Sequence, residues 1–105
     1  MTFTVRNPNP KPWVEISIPA NTDTAIQLSN NGAYLCAFIG NATQSEIFTV
    51  LVGSSGNTTH TNYGSNTYLT ITDGSGNAQI TLRSAAARKV YIMPLNGVPN
   101  AALAS

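Results

Sequence analysis

Trp13-Val14-Glu15-Ile16-Ser17-Ile18 alternates strictly, with Val14, Ile16 and Ile18 on one side and Trp13, Glu15 and Ser17 on the other. A period of two is that of a β-strand with one face toward a core. Pro19-Ala20-Asn21 ends the strand, and Thr24 to Ser29 repeats the pattern with Ile26 and Leu28 inward. Asn30-Asn31-Gly32 is a turn signal, because Asn and Gly accept positive φ at little cost. Two denser apolar runs follow, Ala33 to Ile39 and Ile47 to Val52, closed by Gly40-Asn41 and by Gly53-Ser54-Ser55-Gly56-Asn57. Their near-continuous hydrophobicity reads as central strands buried on both faces.

Further along, Thr58 to Tyr63 is polar and β-branched, as suits an edge strand. Tyr68 to Thr72 and Ala78 to Arg83 flank Asp73-Gly74-Ser75-Gly76-Asn77, a hairpin loop by composition. Arg88 to Met93 forms the last long strand before Pro94, and Ser84-Ala85-Ala86-Ala87 is too short for more than a turn. Upstream, Thr2 to Arg6 is a short strand candidate. Pro8, Pro10 and Pro12 then exclude both helix and central strand and imply an extended arm. Roughly eight or nine short strands at this spacing imply an all-β domain. A single antiparallel β-sandwich, jelly-roll or Greek-key-like, is expected rather than a closed barrel. Residues 1–12 form the N-terminal strand and arm, 13–95 the sandwich body, and 96–105 a small-residue tail that either docks as a strand or frays.

The 105 residues suit one domain with one core. Only 9% are charged, against about 25% in ordinary globular proteins, while the hydrophobic share is 42%. Asn, Thr, Ser and Gly fill the polar positions, which leaves a nearly neutral surface that repels copies of itself weakly. The net charge of +1, with only Arg88 and Lys89 adjacent among the basic residues, argues against a nucleic-acid partner. No apolar run approaches the ~20 residues of a membrane span. Met1-Thr2-Phe3-Thr4 lacks the charge and apolar run of a secretory leader, so none is expected. Cys36 is the single cysteine, so no internal disulfide forms, and its apolar neighbours mark it as a core residue.

Residues able to carry chemistry are sparse. His60 is the single histidine, and without a Gly-x-Ser-x-Gly elbow it reads as an edge-strand residue rather than a general base. Glu15, Asp23, Glu46 and Asp73 show no spacing that pairs them, and read as solvated strand-end and loop carboxylates. One His and one Cys fall short of a transition-metal ligand set. The Asp73 to Asn77 loop lacks the further acids and the closing Glu of a calcium loop. Gly53-Ser54-Ser55-Gly56 lacks the Lys-Ser/Thr pair of a phosphate cradle. The expectation is a protein that is not an enzyme and carries no cofactor or metal. Aromatic residues are the remaining candidates. Trp13, directly after Pro12, is expected to pack beneath the arm, whereas Tyr63 and Tyr68 flank Gly64-Ser65-Asn66-Thr67. Tyr63, Asn66 and Tyr68 are therefore the best glycan-binding candidates.

The stretch from Ala33 to Leu95 resembles the small β-sandwich proteins that accompany the virions of tailed bacteriophages. The likeness lies in Ile47-Phe48-Thr49-Val50-Leu51-Val52-Gly53, in Tyr68-Leu69-Thr70-Ile71-Thr72-Asp73 and in Arg88-Lys89-Val90-Tyr91-Ile92-Met93-Pro94-Leu95, set in a cysteine-poor, Asn/Thr/Ser/Gly-rich chain. The resemblance implies a virion structural protein made in the host cytoplasm. Its main form is a capsid decoration protein that cements the assembled shell by bridging major capsid protein subunits. The alternative is a receptor- or glycan-binding tip of a tail fibre, or a stand-alone carbohydrate-binding module. An initiating Met and the lack of a shaft segment favour decoration. Partners would then be the capsid protein or other virion proteins, with the chain itself a homo-oligomer or present in many copies. Neither nucleic acid nor membrane is expected. Contact residues would be Pro8, Pro10, Pro12 and Trp13, with Arg88 and Lys89 at the rim.

Overall fold

The computed structural model describes residues 13–40, 45–63, 69–96 and 101–104. Its nine strands are β1 (Val14–Ile18), β2 (Thr24–Gln27), β3 (Ala33–Ile39), β4 (Glu46–Val52), β5 (Thr58–Tyr63), β6 (Leu69–Asp73), β7 (Gln79–Ser84), β8 (Arg88–Pro94) and β9 (Ala102–Leu103). They form two antiparallel sheets, one of five strands in the order β1-β8-β3-β4-β5 and one of four in the order β6-β7-β2-β9. No described residue is helical. β3, β4 and β5 make a meander, and β8 returns beside β3, so that β8-β3-β4-β5 has the spatial order of a Greek key. The all-β sandwich expected from the alternation is therefore the fold, with β5 at an edge as its polar sequence indicated. The tail contributes a docked strand, β9, which pairs Leu103 with Ile26 and Ala102 with Gln27. The Thr2 to Arg6 candidate and the proline arm lie outside the described residues.

The alternation works as physical chemistry requires: the inward residues of both sheets build one core, with Tyr34, Phe38 and Phe48 its largest fully buried members. Tyr34 also carries a polar end into this core, and its hydroxyl accepts the Ser29 N–H at 2.9 Å, tying the β2–β3 turn to β3. In that turn Asn31 takes the positive φ, 64°, not Gly32. Gly32 is needed for space instead, because a β-carbon there would sit 2.6 Å from the Tyr34 ring.

The two sheets join at both sides. Asn21 donates its N–H to the Ser84 carbonyl at 2.7 Å where the chain crosses from β1 to β2. On the opposite side Thr58 of β5 donates its N–H to the Gly74 carbonyl at 3.1 Å and accepts the Gly74 N–H on Oγ1 at 2.7 Å.

One expectation needs correction. β3 and β4 are interior strands of the larger sheet, but they are not buried on both faces. Ile47 is 49% exposed and Leu51 56%, because no further layer of described residues covers that side.

Candidate functional site on the outer face of the five-stranded sheet

The outer faces of the two sheets differ in chemistry. On the four-stranded sheet Thr70, Thr72, Gln79, Thr81 and Arg83 point outward. Two of its glutamines satisfy one another: Gln79 Nε2 donates to Gln27 Oε1 at 2.9 Å, and Gln27 Nε2 donates to the Asn77 carbonyl at 3.0 Å. Such a face is content in water. On the five-stranded sheet the outward positions of the three interior strands are mainly apolar. β3 presents Ala33, Leu35 and Ala37 there, β4 presents Ile47 and Leu51 around Thr49, and β8 presents Tyr91 and Met93.

The register arranges these side chains in rows. Ile47 lies beside Tyr63 on one side and Ala37 on the other, and Ala37 lies beside Tyr91. Leu51 pairs with Ala33, and Thr49 pairs with Leu35. Ile47, Tyr91 and Leu51 thus flank the small Ala37 and Ala33 of β3, and Leu35 stands between the two alanines, so the relief over β3 dips at each alanine. A depression of about 180 Å³ opens there between Trp13, Leu35, Ala37, Ile47, Tyr91 and Met93. A wider one, about 640 Å³, lies between Ile39, Ile47 and Tyr63. Glu15 and Lys89 stand toward the β1 edge of this face and pair with each other at 3.4 Å.

Trp13 is 40% exposed and lines the smaller depression, so its ring belongs to this face. Tyr63 is 59% exposed, and its hydroxyl lies 3.5 Å from Thr49 Oγ1. Arg88 is half-buried at the start of β8, next to Lys89. Pro8, Pro10, Pro12, Asn66 and Tyr68 lie outside the described residues. The structure therefore brings Trp13, Tyr63 and Lys89 to one sheet face. The residues missed as a group are Leu35, Ile39, Ile47, Leu51 and Met93. For all but Met93 the signal lies in the two dense apolar runs, which read in the sequence as central strands buried on both faces.

The titratable groups gather elsewhere, at the seam between β5 and β6. His60 Nδ1 lies 2.9 Å from Asp73 Oδ1, each side chain partly exposed. Glu46, read as a solvated carboxylate, is instead buried at 5% exposure on the inward side of β4, and both carboxylate oxygens are closed to solvent without a hydrogen-bond partner of ordinary geometry among the described residues. Burial pushes its carboxyl up, opposed by the Leu69 backbone N–H and by nearby His60. The cause of the misreading is register: Glu46 opposes Phe38, so the strand carries it inward. An Asp-oriented His supplies two of the three members of a nucleophilic triad. The single thiol, however, is fully buried Cys36, which desolvation pushes up to about 12. Among the described residues no three His, Cys, Asp or Glu side chains converge as a metal site. No described helix is long and apolar enough to cross a membrane.

No protein-family model, curated protein or solved structure matches the chain.

Proposed function

We propose that this chain is a structural assembly protein that acts by burying the outer face of its five-stranded sheet against protein. The observation that carries the reading is the contrast between the two outer faces, one polar and self-satisfied, the other apolar and open. Monomeric proteins seldom expose contiguous apolar patches beyond about 300–600 Å² unless the patch has a function. With so few charged residues, such contacts are apolar and hydrogen-bonding rather than ionic.

The resemblance to small virion proteins of tailed bacteriophages supplies the assembly: a capsid shell decorated from outside by non-covalent bridging of its subunits. The mechanism is passive. A binder that engages only the assembled shell stabilises it by mass action, and many modest contacts add up. Pro8, Pro10, Pro12, Trp13, Arg88 and Lys89 remain the proposed contacts to the capsid.

The test is the copy number of this chain in purified particles, by quantitative mass spectrometry against the major capsid protein. A near-stoichiometric ratio supports decoration. A few to a few dozen copies moves the protein to the tail and to receptor binding. Absence from particles rejects the virion setting. The glycan-binding alternative draws on the exposed Tyr63 ring beside the wider depression. Its weakness is that Ile39 and Ile47, which flank that ring, offer a sugar no hydrogen bonds, and of the polar residues that also line the depression Glu46 has both carboxylate oxygens closed to solvent, which leaves Ser45. Binding to a glycan array, lost in Tyr63→Ala, would replace the assembly reading.

A further inference from the structure

We infer that the occupant of the apolar sheet face is a second copy of this chain, docked face to face about a two-fold axis that runs along the strands between β3 and β4. This rests on the reading of that face as a protein contact and names its partner. Two observations carry it: the self-complementary relief of the face and its size.

Rotation by 180° about such an axis lays β4 of one copy over β3 of the other without shifting positions along the strands. Cross-strand partners on one copy therefore become facing residues between copies. Ile47 pairs with Ala37, so each Ile47 meets the other copy's Ala37. Leu51 pairs with Ala33, so each Leu51 meets Ala33, and each Thr49 meets Leu35. Both half-exposed residues of β4 thus come down on an alanine of β3, and Leu35 between them meets the smaller Thr49, which is the large-against-small packing that a dry sheet interface requires. One strand further out, β5 lies over β8, and each Tyr63 faces the other copy's Tyr91. An isologous contact needs a surface complementary to itself, and this register supplies it.

The size is also sufficient. Trp13, Ile39, Ile47, Leu51 and Tyr63 are 40%, 51%, 49%, 56% and 59% exposed, on the order of 500 Å² of mostly apolar surface before the half-buried Leu35, Tyr91 and Met93 are added, against ~800 Å² per partner in a standard stable interface. Charge does not oppose the contact, since Glu15 and Lys89 toward the edge of the face neutralise each other.

Sedimentation equilibrium of the full chain up to about 100 µM tests the proposal, and a dimer with a dissociation constant in the micromolar range or below is expected. Ala37→Ile and Ile47→Ala should each weaken it by about tenfold or more, while the double swap Ala37→Ile/Ile47→Ala restores it to within a few-fold. The first variant is decisive, because it adds apolar area: a non-specific sticky patch would associate more tightly, whereas this interface loosens. Ala33→Leu/Leu51→Ala is a second, independent swap with the same expectation, should the first perturb folding. A wild-type monomer at ~100 µM, or an Ala37→Ile dimer as tight as wild type, overturns the proposal. If that monomer still decorates particles, the assembly reading survives its partner. A dimer that never enters particles leaves this inference standing and rejects the virion reading.

Discussion

Burial governs the reactivity of single side chains. The Cys36 thiol sits in the core with no exposed surface, and desolvation raises its pKa to about 12. Ellman's reagent at pH 8 should therefore leave the folded protein unmodified, and one thiol should appear on unfolding in urea. Glu46 carries the opposite consequence for stability. Its carboxyl is raised in the fold relative to the unfolded chain, so the folded state holds the proton more tightly. Its contribution is most favourable below the unfolded value and declines as pH rises toward the folded one. Glu46→Gln should then raise the melting temperature by a few degrees at pH 8, with the gain vanishing below about pH 4.5. A mutant equal to or less stable than wild type at pH 8 would show that the carboxylate is compensated. Both residues were visible in the sequence, but only Cys36 was placed correctly. A cysteine inside an apolar run has few alternatives, whereas a Glu at a strand start faces either way until its register is known.

At the level of elements, tight turns hold the two sheets in place. The β6–β7 loop closes on Gly74, where a methyl group would overlap the Gln79 carbonyl and lie 2.5 Å from Asn77 Oδ1. Gly53 ends β4 with its nearest obstacle 3.8 Å away and an ordinary φ. Gly74→Ala should accordingly cost about 2 kcal/mol or more in urea unfolding, and Gly53→Ala less than about 0.5 kcal/mol. Equal effects would mean that the loop relaxes around the added methyl. Both positions read as turn glycines in the sequence, since Gly-Ser-Asn clusters mark turns by backbone freedom alone. Which of them is spatially indispensable depends on the return of β7, and that is a contact between segments.

For the whole molecule, the decisive property is an apolar face that no described residue covers, opposite a polar one. An association through it should be insensitive to salt, because screening acts on exposed charges and the face has few. The dimer constant should change by less than about threefold between ~50 mM and ~500 mM NaCl, as measured by sedimentation. A steep loss with salt would place the contact on Arg88, Lys89 and their like instead. Coupled folding and association should also make the melting temperature rise with protein concentration.

The sequence by itself determined that the chain folds as one antiparallel sandwich. Alternation and turn composition are local properties, and they specify which segments are strands and, for β1 and β2, which side meets the core. It also determined that Cys36 is interior and β5 marginal. What only the tertiary structure decided is which outward faces stay uncovered and which side chains lie side by side. The runs containing Leu35 and Ile47 look alike whether a second layer of the same chain covers them or a partner does. Hydrophobicity records that a surface is to be buried, and the strand order and register decide by what.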